Sequence, residues 1–347
     1  MSHELAIIIL NYRTAQLCQD CLDTLVSEVD PSIAVVVVDN DSGDGSADAV
    51  DRHIAARGFG GWASVVRSPI NGGFAAGNNL GIRSVQAGAY LLLNSDTLVK
   101  KGAIAEFRRA LQARPDAGII GASFEDGDGQ MLESCFTFPQ PLSELLRVAN
   151  TGVVTKALRR FDTPATYSDQ LVEPDWMPFA GIVVRREVID TVGLLDDGFF
   201  MYFEDVDYCI RVRAAGWTVL YWPAARIVHL VGASSNVTTT SAARKRAPRY
   251  YYEARTRFFA KHFGTRGLLL ANLAWIAGRS VSLSRQLLLG TAPHLRDQEF
   301  KDIWLNLLHP FRVSSSFRPK RPAPPGAVLR SPDDTAHQAV PASAASR

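Results

Sequence analysis

The sequence predicts an α/β fold: a doubly wound, mostly parallel sheet with helices on both faces, plus a C-terminal helical extension. Aliphatic runs at Leu5–Leu10, Ile33–Val38 and Tyr90–Leu93 alternate with helical patterns, which implies βαβ units. The runs are continuous rather than alternating, as in a sheet covered on both faces. Each closes in Asn, Asp or Gly, and open α/β sheets bind ligands at that edge.

The elements follow in order. Leu5–Leu10 ends in Asn11-Tyr12-Arg13, and Thr14 is placed to cap a helix running to about Val29. Ile33–Val38 ends in Asp39-Asn40-Asp41-Ser42, and Ser46 opens a second helix. A short strand at Val65-Val66 leads to Asn71-Gly72-Gly73-Phe74 and a helix carrying Asn78. The run Tyr90–Leu93 ends in Asn94-Ser95-Asp96, before a helix from Ala103. Gly118–Ala122 is a strand, 124–138 a hairpin turning at Asp126-Gly127-Asp128-Gly129, and 139–173 irregular. Ile182–Arg185 is a strand, followed by a helix that Gly193 stops. Aromatic residues then surround Glu204, Asp205 and Asp207 at a helix start, and two strands, Trp217–Tyr221 and Ile227–His229, follow.

With 347 residues, 47% apolar and 21% charged, the chain has ample core for one large or two modest domains and is not disordered. Four cysteines are too few for a disulfide scaffold, so a reduced, cytoplasmic setting is expected. Cys18 and Cys21 have CxxC spacing but fall in a helical pattern, which favours packing over redox chemistry. No secretory signal precedes Leu5. No run spans a bilayer: Leu268–Ala277 is too short and carries Asn272. The sequon at Asn236 has no weight without a signal. The net charge of +2 conceals a basic stretch between Arg244 and Arg266, suited to phosphates or an anionic membrane surface, or simply to a solvated helix face. Nothing calls for a nucleic acid, and the oligomeric state is not readable.

Single residues have bland readings. Asp96 alone could be a turn residue, Glu204, Asp205 and Asp207 favourable partners of a helix dipole, and His229 structural. Together the polar strand ends offer carboxylates and amides to a base, a ribose and a metal-held diphosphate, without GxGxxG or a Walker Lys.

In this combination the chain resembles the inverting family-2 glycosyltransferases with the GT-A fold, especially the bacterial rhamnosyltransferase-like branch. The motifs are Asn11-Tyr12, Val38 through Ser42, Asn71 through Ala75 with Asn78, Leu93 through Asp96, Gly193 through Phe200, Glu204-Asp205 and His229. The resemblance covers Leu5 to about Gly232. It implies that Asn11, Tyr12, Asp39 and Asn40 border the nucleotide, with Asn78 behind them, and that Arg13, Asn71 and Asn94 belong to the same nucleotide-sugar site. It implies Asp96 and His229 as ligands of a divalent cation (Mg2+ or Mn2+), and Asp205, beside Glu204, as the catalytic base. Asn94 and Asn40 each stand where many members carry Asp. The expected activity is transfer of a hexose, plausibly rhamnose from dTDP-rhamnose, to a glycan or polyprenyl-linked acceptor in cell-surface polysaccharide synthesis. Two readings stay open beside it: a non-catalytic sugar-nucleotide or glycan-binding module, and a sugar nucleotidyltransferase, for which Asn11-Tyr12-Arg13 lacks a glycine-rich phosphate loop.

The expected organisation is a catalytic domain at 1–232, with a nucleotide half to about 122 and an acceptor half from 123, then a helical extension at 233–312 and an unstructured tail at 313–347. In the extension, Leu269, Leu273, Ile276, Leu283 and Leu287 form an apolar stripe. It either packs on the catalytic domain or docks, through 244–311, on the inner face of the cytoplasmic membrane.

Overall fold

A computed structural model describes residues 3–230, 245–292 and 294–314. The sequon at Asn236, Arg244, the boundary near 232 and nearly all of the tail lie outside the described residues. The strands are β1 (His3–Asn11), β2 (Ile33–Asp39), β3 (Ala63–Arg67), β4 (Ala87–Asn94), β5 (Thr97–Val99), β6 (Ala117–Glu125), β7 (Cys135–Phe136), β8 (Ala165–Thr166), β9 (Gly181–Arg185) and β10 (Thr218–His229). The α-helices are α1 (Ala15–Leu25), α2 (Ser46–Arg57), α3 (Gly73–Ser84), α4 (Ala103–Ala113), α5 (Ser143–Ala149), α6 (Gly152–Ala157), α7 (Arg186–Val192), α8 (Glu204–Ala214), α9 (Arg249–Leu289) and α10 (Glu299–Asp302).

Eight strands form one sheet in the order β3-β2-β1-β4-β9-β6-β10-β5. The pairs β3-β2, β2-β1, β1-β4 and β6-β10 are parallel, whereas β9 and β5 run against their neighbours. Alternate residues of each run feed opposite cores. Ile7, Ile9, Val35, Val37, Leu91 and Leu93 pack under α1, α2 and α4. Ile8, Val36, Val38, Tyr90 and Leu92 pack under α3, α7 and α8. This is the two-faced burial that continuous apolar runs imply.

The local expectations need correction in five places. First, α1 stops at Leu25, because Glu28 turns away and caps α4 instead, its carboxylate accepting from Gly102 N at 2.9 Å and Ile104 N at 3.3 Å. Second, the turn at 126–129 forms, with a bridge between Glu125 and Met131, but the returning β7 pairs with β8 rather than with β6. Third, 139–173 is not irregular: α5 and α6 lie there, and α5 packs on α9, an element too distant in sequence to appear in a local pattern. Fourth, the two strands near 217–229 are one strand, β10, with a register break between Trp222 and Arg226 around Pro223. Fifth, α9 is broken at Gly264 (φ +66°) and packs through Leu268, Ala271, Trp275 and Gly278, leaving the expected stripe of Leu269, Leu273, Ile276, Leu283 and Leu287 outward.

Candidate active site

The carboxyl ends of β1, β2 and β4 are joined by a hydrogen-bonded chain. Asn11 Nδ2 donates to Asp39 Oδ1 at 2.9 Å, and Ser42 Oγ donates to the same oxygen at 2.6 Å. Thr14 Oγ1 donates to Asn11 Oδ1 at 2.9 Å and meets Ser95 Oγ at 2.8 Å. Thr14 therefore makes no side-chain cap on α1, as expected of it, but links β1 to the Asn94-Ser95-Asp96 corner. Arg13, at φ +58°, donates from its backbone and its Nε to Ser42, and its guanidinium lies 5.1 Å from the centre of the exposed Tyr12 ring. An aromatic face and a guanidinium, linked through Ser42 to the buried Asp39 carboxylate, suit a nucleobase and its ribose.

Asn40 and Asn71 build the neighbouring loop. Asn40 Nδ2 donates to Asn71 Oδ1 at 3.1 Å and to Gly73 O at 3.0 Å, while Gly73 N donates to Asn71 Oδ1 at 3.0 Å. Asn78 is buried in α3 with its amide nitrogen on Phe74 O, and among the described residues its Oδ1 has no hydrogen-bond partner.

The next corner is set by β5. The short β5 follows Asp96 directly and pairs with the end of β10, with Thr97 opposite His229. Residues far apart in the chain thus meet, His229 Nε2 lying 3.5 Å from Asp96 Oδ1. Two ligands of one small octahedral cation, each about 2.1 Å from it, sit about 3 Å apart, so this pair fits a shared ion after a small adjustment. Asn94, two residues earlier, adds a buried side-chain oxygen that has no hydrogen-bond partner among the described residues. The carboxylate and amide oxygens are donors that Mg2+ and Mn2+ take, and the imidazole beside them favours the transition metal of the two. Among the described residues no group of three or more His, Cys, Asp or Glu gathers, so an ion here would need further ligands from substrate oxygens and water.

The acids on α8 are tied to the donor loop through the segment before them. Phe74 N donates to Phe200 O at 2.7 Å, four residues ahead of Glu204, and Asn79 of α3 bonds the Leu195 backbone. The three α8 carboxyls are in different electrostatic states. Burial pushes Asp205 up to about 7, against the 2.8 Å bond that its Oδ1 accepts from Val206 N. Burial, then the adjacent Asp205 charge, raises Glu204 well above the carboxylate range, and among the described residues Glu204 Oε2 has no hydrogen-bond partner. Burial would also raise Asp207, but bonds from His262 Nε2 at 2.8 Å, Lys261 Nζ at 2.7 Å and Arg211 Nε at 3.0 Å hold it below the ordinary value. Asp205 is thus the part-exposed carboxyl raised toward neutrality, Glu204 is a buried carboxyl raised as well, and Asp207 is the ion-paired one.

Several positions here carried no motif. Lys261 Nζ also reaches Asp196 Oδ2 at 2.6 Å, and Arg257 Nη2 binds Asp196 Oδ1 at 2.9 Å, so α9 clamps both ends of the segment leading into α8. The basic stretch, read as suited to phosphates, to an anionic membrane surface or to a solvated helix face, is in large part paired within the protein: Arg255 is buried against Glu144 and Asn272, while the exposed Arg249 and Arg246 pair with Glu253 and Asp302. Sequence shows charges but not their distant partners. Asn79, rather than Asn78, makes the cross-link to the acceptor side, its amide exchanging bonds of 2.9 and 3.1 Å with the Leu195 backbone. Cys18 and Cys21 are buried free thiols, Cys21 pushed up to about 12 by burial, so they pack and do no redox chemistry.

The family model described as "Glycosyltransferase like family 2" matches residues 3–253, most of the chain. The chain belongs to glycosyltransferase family 2. It is 26% identical over 246 residues to the N-acetylglucosaminyl-diphospho-decaprenol L-rhamnosyltransferase of Mycobacterium tuberculosis, covering 66% of this chain and 76% of that one. It is 27% identical over 255 residues to the dTDP-rhamnosyl transferase RfbF of Shigella flexneri, covering 68% and 74%. Among solved structures it is similar to the mannosyltransferase PcManGT of Pyrobaculum calidifontis in complex with GDP-Man and Mn2+, with a TM-score of 0.52, 15% identity and coverage of 85% and 78%. It is also similar to residues 1–349 of S. aureus TarS, with a TM-score of 0.50, 13% identity and coverage of 89% of this chain and 80% of that fragment. These neighbours establish the GT-A fold, and the family makes the protein a glycosyltransferase rather than a nucleotidyltransferase or a passive binding module. The family match stops early in α9, so most of the helix that braces α8 lies beyond it.

Proposed function

We propose that this glycosyltransferase is inverting and metal-dependent, and moves rhamnose from dTDP-rhamnose to a hydroxyl of a glycan or lipid-linked glycan in cell-surface polysaccharide synthesis. The observation that carries the mechanism is the placement of the α8 carboxyls: Asp205 is part-exposed at the helix start, with burial pushing it up to about 7, whereas Glu204 is buried and Asp207 is held by Lys261, His262 and Arg211. A base for an acceptor hydroxyl must be ionised yet still basic at the working pH, and Asp205 meets both conditions. One such carboxylate suffices for a single in-line displacement with inversion, whereas retention by double displacement would need a second as nucleophile. Asp205 takes the acceptor proton as its oxygen attacks the anomeric carbon. Negative charge develops at the departing diphosphate, and a divalent ion held by Asp96, His229 and the Asn94 oxygen would stabilise it there. Tyr12, Arg13, Asp39 and Asn11 hold the nucleoside, and Asn40 and Asn71 set the loop beside it.

The sugar and the polyprenyl class of acceptor are supported by the rhamnosyltransferase relatives. Among the described residues no helix is long and apolar enough to cross a membrane. Contact with the cytoplasmic leaflet would instead use the outward face of α9, where Leu287, Leu288 and Leu289 are 85%, 81% and 72% exposed. Mass-spectrometric screening of dTDP-, UDP- and GDP-sugars with manganese tests the donor: turnover of dTDP-rhamnose alone is expected, and preference for a UDP- or GDP-sugar would overturn that assignment. Full activity in excess chelator would remove the metal role. Replacing Leu287, Leu288 and Leu289 by Ser should release the protein from anionic vesicles, and undiminished binding would refute the membrane face.

A further inference from the structure

An aromatic wall stands between the donor loop and the proposed base. On the donor side Phe74 N donates to Phe200 O at 2.7 Å, and Gly73 is so close that a Cβ on it would lie 1.9 Å from the same oxygen. On the other side Phe203 is the residue immediately before α8, two before Asp205. Between them Tyr202 and Phe203 are both left-handed, at φ +73° and +67°. That conformation is unfavourable for bulky residues, and two in succession mark a segment whose shape is imposed.

What the shape achieves is ring placement. Tyr250, from the first turn of α9, lies near-parallel to Tyr202, with centroids 6.2 Å apart and planes at 21°, and leans on Phe200 at 5.3 Å. Tyr251 packs edge-on to Tyr202 at 5.6 Å. All of these rings are part-exposed rather than buried, unlike Phe258 and Phe259 deeper in the same cluster. Part-exposed aromatic faces present negative π-density, to which the weakly positive C–H edges of a sugar ring are attracted while its hydroxyls stay solvated. Glu204 and the proposed base Asp205 follow at once in the chain.

We propose that Phe200, Tyr202 and Tyr250 form the acceptor-sugar subsite, stacking the apolar face of a pyranose so that its hydroxyl reaches Asp205. This rests on the glycosyltransferase reading above and adds the acceptor's position and the part α9 plays in it. The first helical turn of α9 completes the site, while its later turns hold α8.

The test uses the full chain, dTDP-rhamnose as donor and N-acetylglucosaminyl diphosphate on a short prenyl chain as acceptor probe. Tyr250→Leu keeps bulk but removes the ring, and should raise the acceptor KM about tenfold, the size of one aromatic contact, while the donor KM moves less than twofold. Tyr250→Phe should restore the acceptor KM, since the ring and not the hydroxyl does the stacking. Tyr202→Leu should act in the same direction as Tyr250→Leu. If Tyr250→Leu folds and its acceptor KM stays at the wild-type value, or if donor and acceptor KM rise together, the subsite is overturned. Failure of the wild-type protein to bind dTDP-rhamnose by calorimetry would instead refute the donor assignment on which the choice of probe depends.

Discussion

The two sides of the active edge are built by different means. On the donor side, side chains hold one another: Asp39, Asn11, Thr14 and Ser95 form a continuous chain of neutral and singly charged hydrogen bonds across three strand ends. On the acid side, the segment from Asp196 through α8 is held from outside by Arg257, Lys261 and His262 of α9. The donor side needs geometry, which hydrogen bonds between rigid strand ends supply. The acid side must also set a proton affinity, and that requires charges of chosen sign at chosen places. Gly73 joins the two, supporting the Asn40 loop through its carbonyl and abutting Phe200 on its other side.

The largest effect should come from the base. Asp205→Asn is expected to lower kcat by about 10³–10⁴-fold with donor binding retained, and a variant that folds and transfers at near wild-type rate would end that assignment. The same substitution should stabilise the fold. Asp205 holds its proton up to about 7 in the fold but only to about 4 when unfolded, so stability is highest below about 4 and falls as pH rises through 7. Asp205→Asn should therefore raise Tm at about pH 8 and leave it unmoved at about pH 4.

Next, Asp96→Ala should lower transfer by about 10²–10³-fold, as loss of one group that stabilises developing charge does. Its residual activity should no longer respond to added manganese, and a normal metal response would place the ion elsewhere. Between the two sides, Gly73→Ala should cost about 2–4 kcal/mol, because φ is +82° and the new methyl meets the Phe200 backbone. Gly45→Ala, at φ +86° with open space around it, isolates the conformational part at about 1 kcal/mol. Equal Tm losses in the two variants would show that the Gly73–Phe200 contact contributes nothing.

The smallest effect is the most discriminating. Asp207 faces Arg211 and Glu204 on its own helix and Lys261 and His262 on α9. Lys261→Met removes one cation and leaves the Asp207 charge less balanced, which should move the acid limb of the kcat profile upward by about half a pH unit. Lys261→Arg should return it, and a limb that stays put in Lys261→Met would reduce the clamp to a purely mechanical brace.

The sequence revealed these two sides unequally, for a physical reason. The donor side was legible because each polar group closes a buried strand, and a strand's end is a local pattern. The Asp96–His229 meeting was legible only through resemblance, since it depends on β5 pairing with β10 across the fold. The clamp left no local sign: Lys261 and His262 read as members of a basic helix until Asp196 and Asp207 are seen opposite them. The neighbours Asn78 and Asn79 show the same limit, since only tertiary structure says which amide bridges to Leu195. Likewise the stripe on α9 was visible, but its direction was not, because Leu268, Ala271 and Trp275 give the helix a second apolar face.

The central claim is that Asp205 changes charge near neutral pH and that transfer depends on its ionised form. The pH dependence of kcat for glycosyl transfer tests it most directly. The account predicts a profile that rises through a single limb with its midpoint near 7, set by the raised Asp205 carboxyl. A flat profile from about pH 5 to 8, or one whose limb survives in Asp205→Asn, would contradict it.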